Sequence, residues 1–225
     1  MNGPNTLCGG LLLTTIALAS GCNVNLGFGE ALVGSGVATE EFREIESFSV
    51  IEVGGALKVD AVVGQTQSVS VKGDDNIVPF VTTEVHGDAL KIQLDHNGRL
   101  DTKQPLVITL VSPELIGAGV SGACHVQVGG ISGTDFRADL SGASTVVLEG
   151  ECQKLTAGIS GASTLNAKSL NAKTASIQAS GASNAHVLVT ESITGNASGA
   201  STVRYTGDPA HASVSTSGAS SAKAE

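Results

Sequence analysis

Apolar residues in the second half of the chain fall on alternate positions around a recurring quartet of small residues. The quartet S-G-A-[S/C] opens at Ser121, Ser141, Ser160, Ser180, Ser198 and Ser217, in steps of 20, 19, 20, 18 and 19 residues. One residue before each opening serine stand Val120, Leu140, Ile159, Ala179, Ala197 and Thr216; three before stand Ala118, Ala138, Ala157, Ile177, Gly195 and Val214. Five before come Ile116, Phe136, Leu155, Ala175, Ile193 and Ala212. After the first five quartets the rows resume at Val126, Val146, Leu165, Ala185 and Val203, and two further on at Val128, Leu148, Ala167, Val187 and Tyr205. Residues two apart share a face of a strand and not of a helix, so the pattern predicts half-buried strands joined at a bend.

A fixed period near twenty residues is the mark of a solenoid. One copy cannot bury its own apolar row, but copies stacked at about 4.8 Å bury it against each other, with backbone hydrogen bonds along the stack. The expected fold is therefore all-β, a parallel β-helix with coils of about 19–20 residues, and its five steps span roughly 24 Å. Such coils turn corners at every level, and corner residues of adjacent levels lie on top of one another, so small side chains are required. Gly122, Gly142, Gly161, Gly181, Gly199 and Gly218 supply backbone freedom and close approach. The serines can satisfy backbone groups left over at the bend. If alternation runs unbroken through the corner, Gly142, Ser144 and their equivalents point inward and Ser141 and Ala143 outward; if the phase flips there, the assignment reverses.

The first half is less regular. Phe48 to Val59 resembles a degenerate copy with Gly54 in place of the opening serine. Gln67 to Val71, Leu90 to Leu94 and Leu106 to Val111 read as strands, with turns at Gly73-Asp74-Asp75-Asn76, His86-Gly87-Asp88 and His96-Asn97-Gly98. The predicted organisation is an irregular β section over 41–112 and the regular β-helix over 113–225. Residues 23–40, rich in Gly and Asn, read as a flexible tether.

Composition changes the picture in two ways. Gly is 29 of 225 residues, Trp is absent, Tyr occurs once and Phe five times, so Val, Leu, Ile and Ala must fill the core. The net charge is -9 and no run of Lys or Arg occurs, which argues against nucleic acid or an anionic membrane surface as a partner. Residues 1–22 read as a secretory signal: Leu11 to Ala19 is mostly apolar, too short to span a bilayer, and followed by small residues before a cysteine. Leu18-Ala19-Ser20-Gly21-Cys22 is similar to a bacterial lipobox, although no Lys or Arg precedes Leu11. Cys22 is thus expected to carry the lipid that anchors the chain to a membrane, and Asn23 after it points to the outer membrane. Of the remaining cysteines, Cys124 stands where other quartets have serine, as a small buried residue would. An oxidising compartment also permits a bridge to Cys152.

Candidate chemistry is sparse. Glu149 and Glu151 share a face with nothing basic fixed opposite, as solvated loop charges would. His125, His186 and His211 fall on outward positions of different copies, with His125 and His186 three levels and about 14 Å apart, too far to share a metal ion. Asp74-Asp75-Asn76 lacks calcium-loop spacing and reads as a polar turn. No P-loop or dinucleotide fingerprint occurs. No catalytic residue, metal site or cofactor is expected. A binding or adhesive module of the cell envelope, with an unidentified protein or glycan partner, fits best. The alternatives are an assembly component pairing with a second copy through the open β-helix end, a polysaccharide-active enzyme, and an ice-binding surface on the row Thr145, Thr164, Thr202, which Asn184 interrupts.

Gly34-Ser35-Gly36, Arg43, Phe48-Ser49-Val50-Ile51-Glu52-Val53, Val71-Lys72-Gly73-Asp74-Asp75-Asn76-Ile77, Gly87-Asp88-Ala89-Leu90-Lys91-Ile92 and the S-G-A-S series occur in an order that resembles the putative auto-transporter adhesin, head GIN domain family. The resemblance covers residues 34 to about 220. It implies a right-handed β-helical domain, commonly carried by bacterial lipoproteins or secreted proteins, and no catalytic residues. No barrel-type strands follow Ser217, so self-translocation is not expected.

Overall fold

Each small-residue quartet sits on the one before it, held by a continuous ladder of backbone hydrogen bonds. The structure, a computed structural model, describes residues 29–96 and 98–225. The Ala143 N–H donates to the Gly122 carbonyl at 2.8 Å, Ala162 to Gly142 at 2.8 Å, Ala182 to Gly161 at 2.8 Å, Ala200 to Gly181 at 2.7 Å and Ala219 to Gly199 at 2.8 Å. Strands on both sides continue in parallel register. Val126, Val146, Leu165, Ala185, Val203 and Ala222 form one row, and Val120, Leu140, Ile159, Ala179, Ala197 and Thr216 another. The protein is a parallel β-helix of about five turns, as the periodicity predicts.

Four long strands, His125–Leu140, Thr145–Ile159, Thr164–Ala179 and Asn184–Ala197, each carry most of a coil and fold over at a second bend. Register shifts lie at or near that bend, between Val128 and Ile131, Val147 and Glu149, and Ala167 and Asn171. Coils of 18 to 20 residues are thus reconciled there as bulges, while the quartet corner keeps strict register. The apolar rows are buried as predicted except at Ile116 and in the last coil, where Ala212 and Thr216 are exposed and Val214 is half-buried. Ile116 is 41% exposed and Leu115 takes the inward place, because the strand Gly117–Val120 has not begun there and alternation is not yet in force.

The corner resolves the phase left open by the sequence. Cys124, Ser144, Ser163, Ser183 and Ser201 are buried, whereas Ser141, Gly142 and Ala143 are exposed. The glycines do not point inward with the serines: their φ angles lie between 72° and 83°, and a Cβ on Gly142 would run into the Gly122 carbonyl oxygen. Their missing side chain is aimed along the stack at the coil beneath. The fourth residue has a different task. The bend frees the carbonyl of the opening serine, and Ser144 Oγ donates to Ser141 O at 3.0 Å, Ser201 Oγ to Ser198 O at 2.8 Å and Ser220 Oγ to Ser217 O at 2.7 Å. Each such bond is worth about 1 kcal/mol, and leaving the carbonyl unsatisfied costs more. Ser183 Oγ has no partner.

Gly54 to Leu57 is the level beneath Ser121 to Cys124: Ser121 N–H donates to Val53 O at 2.8 Å and Ala123 N–H to Gly55 O at 2.7 Å. The degenerate copy is thus the first coil, although it lies in the section read as irregular. After Lys58–Val63 the chain leaves the stack, builds one end of the prism, and returns at Gly117–Val120 on the far side of Val50–Val53. Ala89–Leu94 and Val107–Ser112 form the next layer, and Val81–His86, Ser68–Asp74 and Ala38–Arg43 close this end with antiparallel pairings.

The tether reading fails from Gly29 onward. Gly29–Val33 pairs in parallel with Gly98–Asp101, and Ala38–Arg43 pairs with Ser68–Asp74. The signal, Cys22 and residues 23–28 lie outside the described residues, as does Asn97. Residues 29–40 carry no long apolar row because polar bonds hold them in place. Asp74, read as part of a polar turn, is fully buried, and its carboxylate accepts N–H bonds from Gly36 (2.7 Å), Lys103 (2.9 Å) and Gln104 (3.0 Å). Asn76 accepts from the Ser35 N–H at 2.9 Å and donates to Val33 O at 2.8 Å. A Cβ on Gly34 would collide with the Asp74 carboxylate. Gly34-Ser35-Gly36 and Asp74-Asp75-Asn76 are therefore two halves of one lock. Burial pushes the Asp74 carboxyl up, but the three N–H donors and Lys103 outweigh it and hold the group below its ordinary range.

Two outcomes follow from these contacts. Gly161→Ala, at φ +72° and aimed at the Gly142 carbonyl, should cost at least about 2 kcal/mol. Ala162→Ser on the exposed ridge should stay within about 0.5 kcal/mol; equal denaturation midpoints for the two variants would refute the close-approach account. Because the folded Asp74 carboxyl ionises below its unfolded value, its contribution is complete above about pH 4 and is lost as pH falls through the folded value. Hydrogen exchange at the Gly36, Lys103 and Gln104 amides should accelerate in that acid window, and Asp74→Asn should remove this pH dependence and loosen the same amides at neutral pH.

Candidate binding furrow on the outer face

The strands that lead into the quartet corner turn one face to the core and the other to solvent. The outward residues two positions before the opening serine stack in register as Lys91, Glu52, Gly119, Asp139, Gly158, Gln178, Asn196 and Ser215. Four before it stand Gly117, Arg137, Thr156, Ser176, Thr194 and Ser213. The opening serines form a third column at the rim. Three columns of small polar groups thus repeat about every 4.8 Å along the stack.

Between the first and third columns runs a shallow groove of about 510 Å³, lined by Asp139, Gly158, Gln178 and Asn196 on one side and Ser141, Ser160, Ser180 and Ser198 on the other. A second hollow of about 300 Å³, bounded by Glu52, Lys91, Gln93, Gly119 and Ser121, shares Asp139 with it. The two make one furrow along the prism. Glycines at positions 119 and 158 open it where neighbouring levels have side chains, and a Cβ on Gly158 would come within 2.8 Å of Asp139 Oδ1. Arg137 grips Asp139 from the same strand, Nε to Oδ2 at 2.6 Å and Nη2 to Oδ1 at 3.2 Å. Asn196 Nδ2 donates to Gln178 Oε1 at 3.1 Å. The remaining donors and acceptors of these amides and hydroxyls face solvent, so the furrow can recognise a polar ligand by hydrogen bonds. It contains no histidine or cysteine and no aromatic ring.

The residues singled out from sequence divide. The first five opening serines, Ser121 to Ser198, line the furrow, and Ser217 continues their column beyond it; the corner glycines hold the coils together and contact no groove. Glu149 and Glu151 lie on the strand Thr145–Ile159 and not in a loop; Gln127 Nε2 approaches Glu149 Oε1 at 3.5 Å. His125 and His211 are exposed, but His186 is half-buried with Nδ1 enclosed and without a partner. Burial, and then Lys168 and Arg204, lower its pKa against the opposing pull of Glu225. Cys124 and Cys152 are both free thiols, one at the corner and one past the second bend, so the bridge is not formed. Burial raises both thiols, and burial together with the Asp135 charge pushes Cys152 up to about 11. Among the described residues no three His, Cys, Asp or Glu side chains converge as a metal site, and no helix is long and apolar enough to cross a membrane.

Sequence reasoning missed Arg137, Asp139, Gln178 and Asn196. The signal was present at the same fixed offsets, because the residues two and four before each opening serine are polar or glycine in every copy. Those rows are as periodic as the core, and only their complement was followed.

The fold recurs in solved structures. A putative adhesin from Bacteroides fragilis superposes with a TM-score of 0.72 at 21% identity, covering 88% of this chain and all of that one. A putative lipid binding protein from Parabacteroides distasonis gives 0.55 at 16% identity over 87% of this chain, and a putative adhesin from Parabacteroides merdae 0.54 at 14% over 88%, each covered completely. No curated protein matches the sequence. The family model for the putative auto-transporter adhesin, head GIN domain, matches residues 47–209. That span runs from the first coil to the last complete one, and the chain belongs to this family.

Proposed function

We propose that the protein is a non-enzymatic binding or adhesion module of the bacterial cell envelope, anchored by lipid at Cys22 and presenting its furrowed outer face to a protein or glycan partner. The continuous polar furrow along the stack carries this reading, because it offers hydrogen-bonding groups over several coils without a nucleophile–base pair beside them. The family's name and those of the two putative adhesins agree with a binding role at the cell surface. The lipobox-like Leu18 to Cys22 supplies the anchor, and it suits an outer-membrane lipoprotein.

Labelled protein applied to arrays of glycans and matrix proteins should be retained on at least one of them. Trimming the furrow with Gln178→Ala and Asn196→Ala should lower that signal about tenfold, given about 1 kcal/mol per lost hydrogen bond, whereas Thr164→Ala on the adjoining face should leave it unchanged. Silence across the arrays, or equal binding by the trimmed variant, would refute the proposal.

A second reading has an observation of its own. His211–Thr216 and Ser221–Ala224 each pair on one side only, and Ala212 on the inward row is exposed. Unpaired edges of this kind template the addition of a further strand. A second copy could occupy them, in which case small-angle scattering should show a concentration-dependent dimer that Val214→Lys abolishes; a monomer at all concentrations would exclude this role.

A further inference from the structure

The face beyond the quartet corner carries a feature the sequence does not display. His186, Arg204 and Lys223 lie at three successive levels in direct register, and Lys168 projects beside them from the coil below. The cations are scattered over 56 residues of sequence and gathered only by stacking. In their midst sits one carboxylate. Glu225 accepts from Lys168 Nζ at 3.4 Å through Oε2 and from Arg204 Nη1 at 3.2 Å through Oε1, bridging levels two coils apart. Elsewhere Arg43, Lys58 and Arg137 each face an acid two residues away on the same strand: Glu41, Asp60 and Asp139. Here Lys168 and Arg204 share one side-chain carboxylate, and Lys223 has no ion-pair partner among the described residues. The acid on the coil next to Lys168, Glu149, is approached by Gln127.

We propose that Lys168, Arg204 and Lys223 form an anion-binding ladder for a carboxylate-bearing polysaccharide, and that Glu225 is its internal, displaceable counter-ion. The Glu225 carboxylate shows what the gap between Lys168 and Arg204 accommodates: two oxygens that reach cations two coils apart. Both ion pairs are solvent-exposed, with the Lys168 and Arg204 side chains 51% and 46% accessible, so they hold Glu225 only weakly and an incoming chain with several carboxylates can replace it. Lys223 stands one coil from Arg204, about 4.8 Å, and Lys168 two coils from it on the other side, about 9.6 Å, spacings that suit carboxylates on adjacent and alternate sugars of an acidic chain. His186 occupies the level between Lys168 and Arg204, half-buried with its Nδ1 enclosed. This site lies across the corner from the furrow and does not depend on it.

Binding to polygalacturonate, measured by calorimetry at low salt on the full chain, tests the ladder against fully methyl-esterified polygalacturonate and single-stranded poly(dT). The acid polymer should bind, weaken with added salt, and lose affinity about tenfold or more in Lys168→Gln and in Arg204→Gln, the scale expected for removing one charge-assisted bond. Glu225→Gln should bind more tightly than the unaltered protein, and the furrow variant Gln178→Ala/Asn196→Ala should bind equally well. Equal affinity for the esterified polymer, no change in the Lys168 and Arg204 variants, no gain from Glu225→Gln, or tighter binding of poly(dT) would each overturn the assignment.

Discussion

The close approach of backbone to backbone at the quartet corner is the constraint on which the molecule depends. Three N–H bonds per level cross that corner, as at Ser141, Ala143 and Thr145, and they keep adjacent coils in contact where the chain changes direction. The geometry leaves no volume for a Cβ at the second position and calls for a left-handed backbone there, so glycine is the residue that serves. Once the corner is in register, the alternating strands on both sides bury their rows without further instruction. The second bend is freer, and the differences in coil length accumulate there.

This division explains how a core with almost no aromatic residues can be continuous. Inward positions are filled mostly by Val, Leu, Ile and Ala, with Phe136 an exception, and each lies in register with its equivalent above and below. Uniform small layers pack because the coils are nearly congruent. The one large break in congruence, the excursion between Val63 and Gly117, is placed at the end of the stack, where antiparallel strands and the buried Asp74 lock substitute polar bonds for the missing coil beneath.

The same repetition generates the outer surface. A polar side chain at any offset becomes a column when the coils stack, so a binding surface on this scaffold is a set of ladders and not a pocket. The furrow beside Asp139, Gln178 and Asn196 is one such ladder, opened by glycines at positions 119 and 158. The cationic column on the adjoining face is another, and its charge is local in a protein that is acidic overall.

Much of this architecture was legible in the chain itself. The period, the strand phase, the first coil at Gly54 and the buried rows follow from residues one to two positions apart, because β alternation and coil stacking are local rules repeated. What the chain did not reveal were relations between residues far apart in sequence. The Asp74 lock joins segments near 35, 75 and 104, which is why residues 29–40 looked like tether. Whether Ser144 turns in while Gly142 points along the stack depends on the carbonyl of the coil beneath. Lys168, Arg204 and Lys223 become neighbours only when four coils are laid on one another. Short-range periodicity determines the elements; hydrogen bonds and charges between levels, which no local window contains, decide the corner geometry, the closed end and the surfaces available for binding.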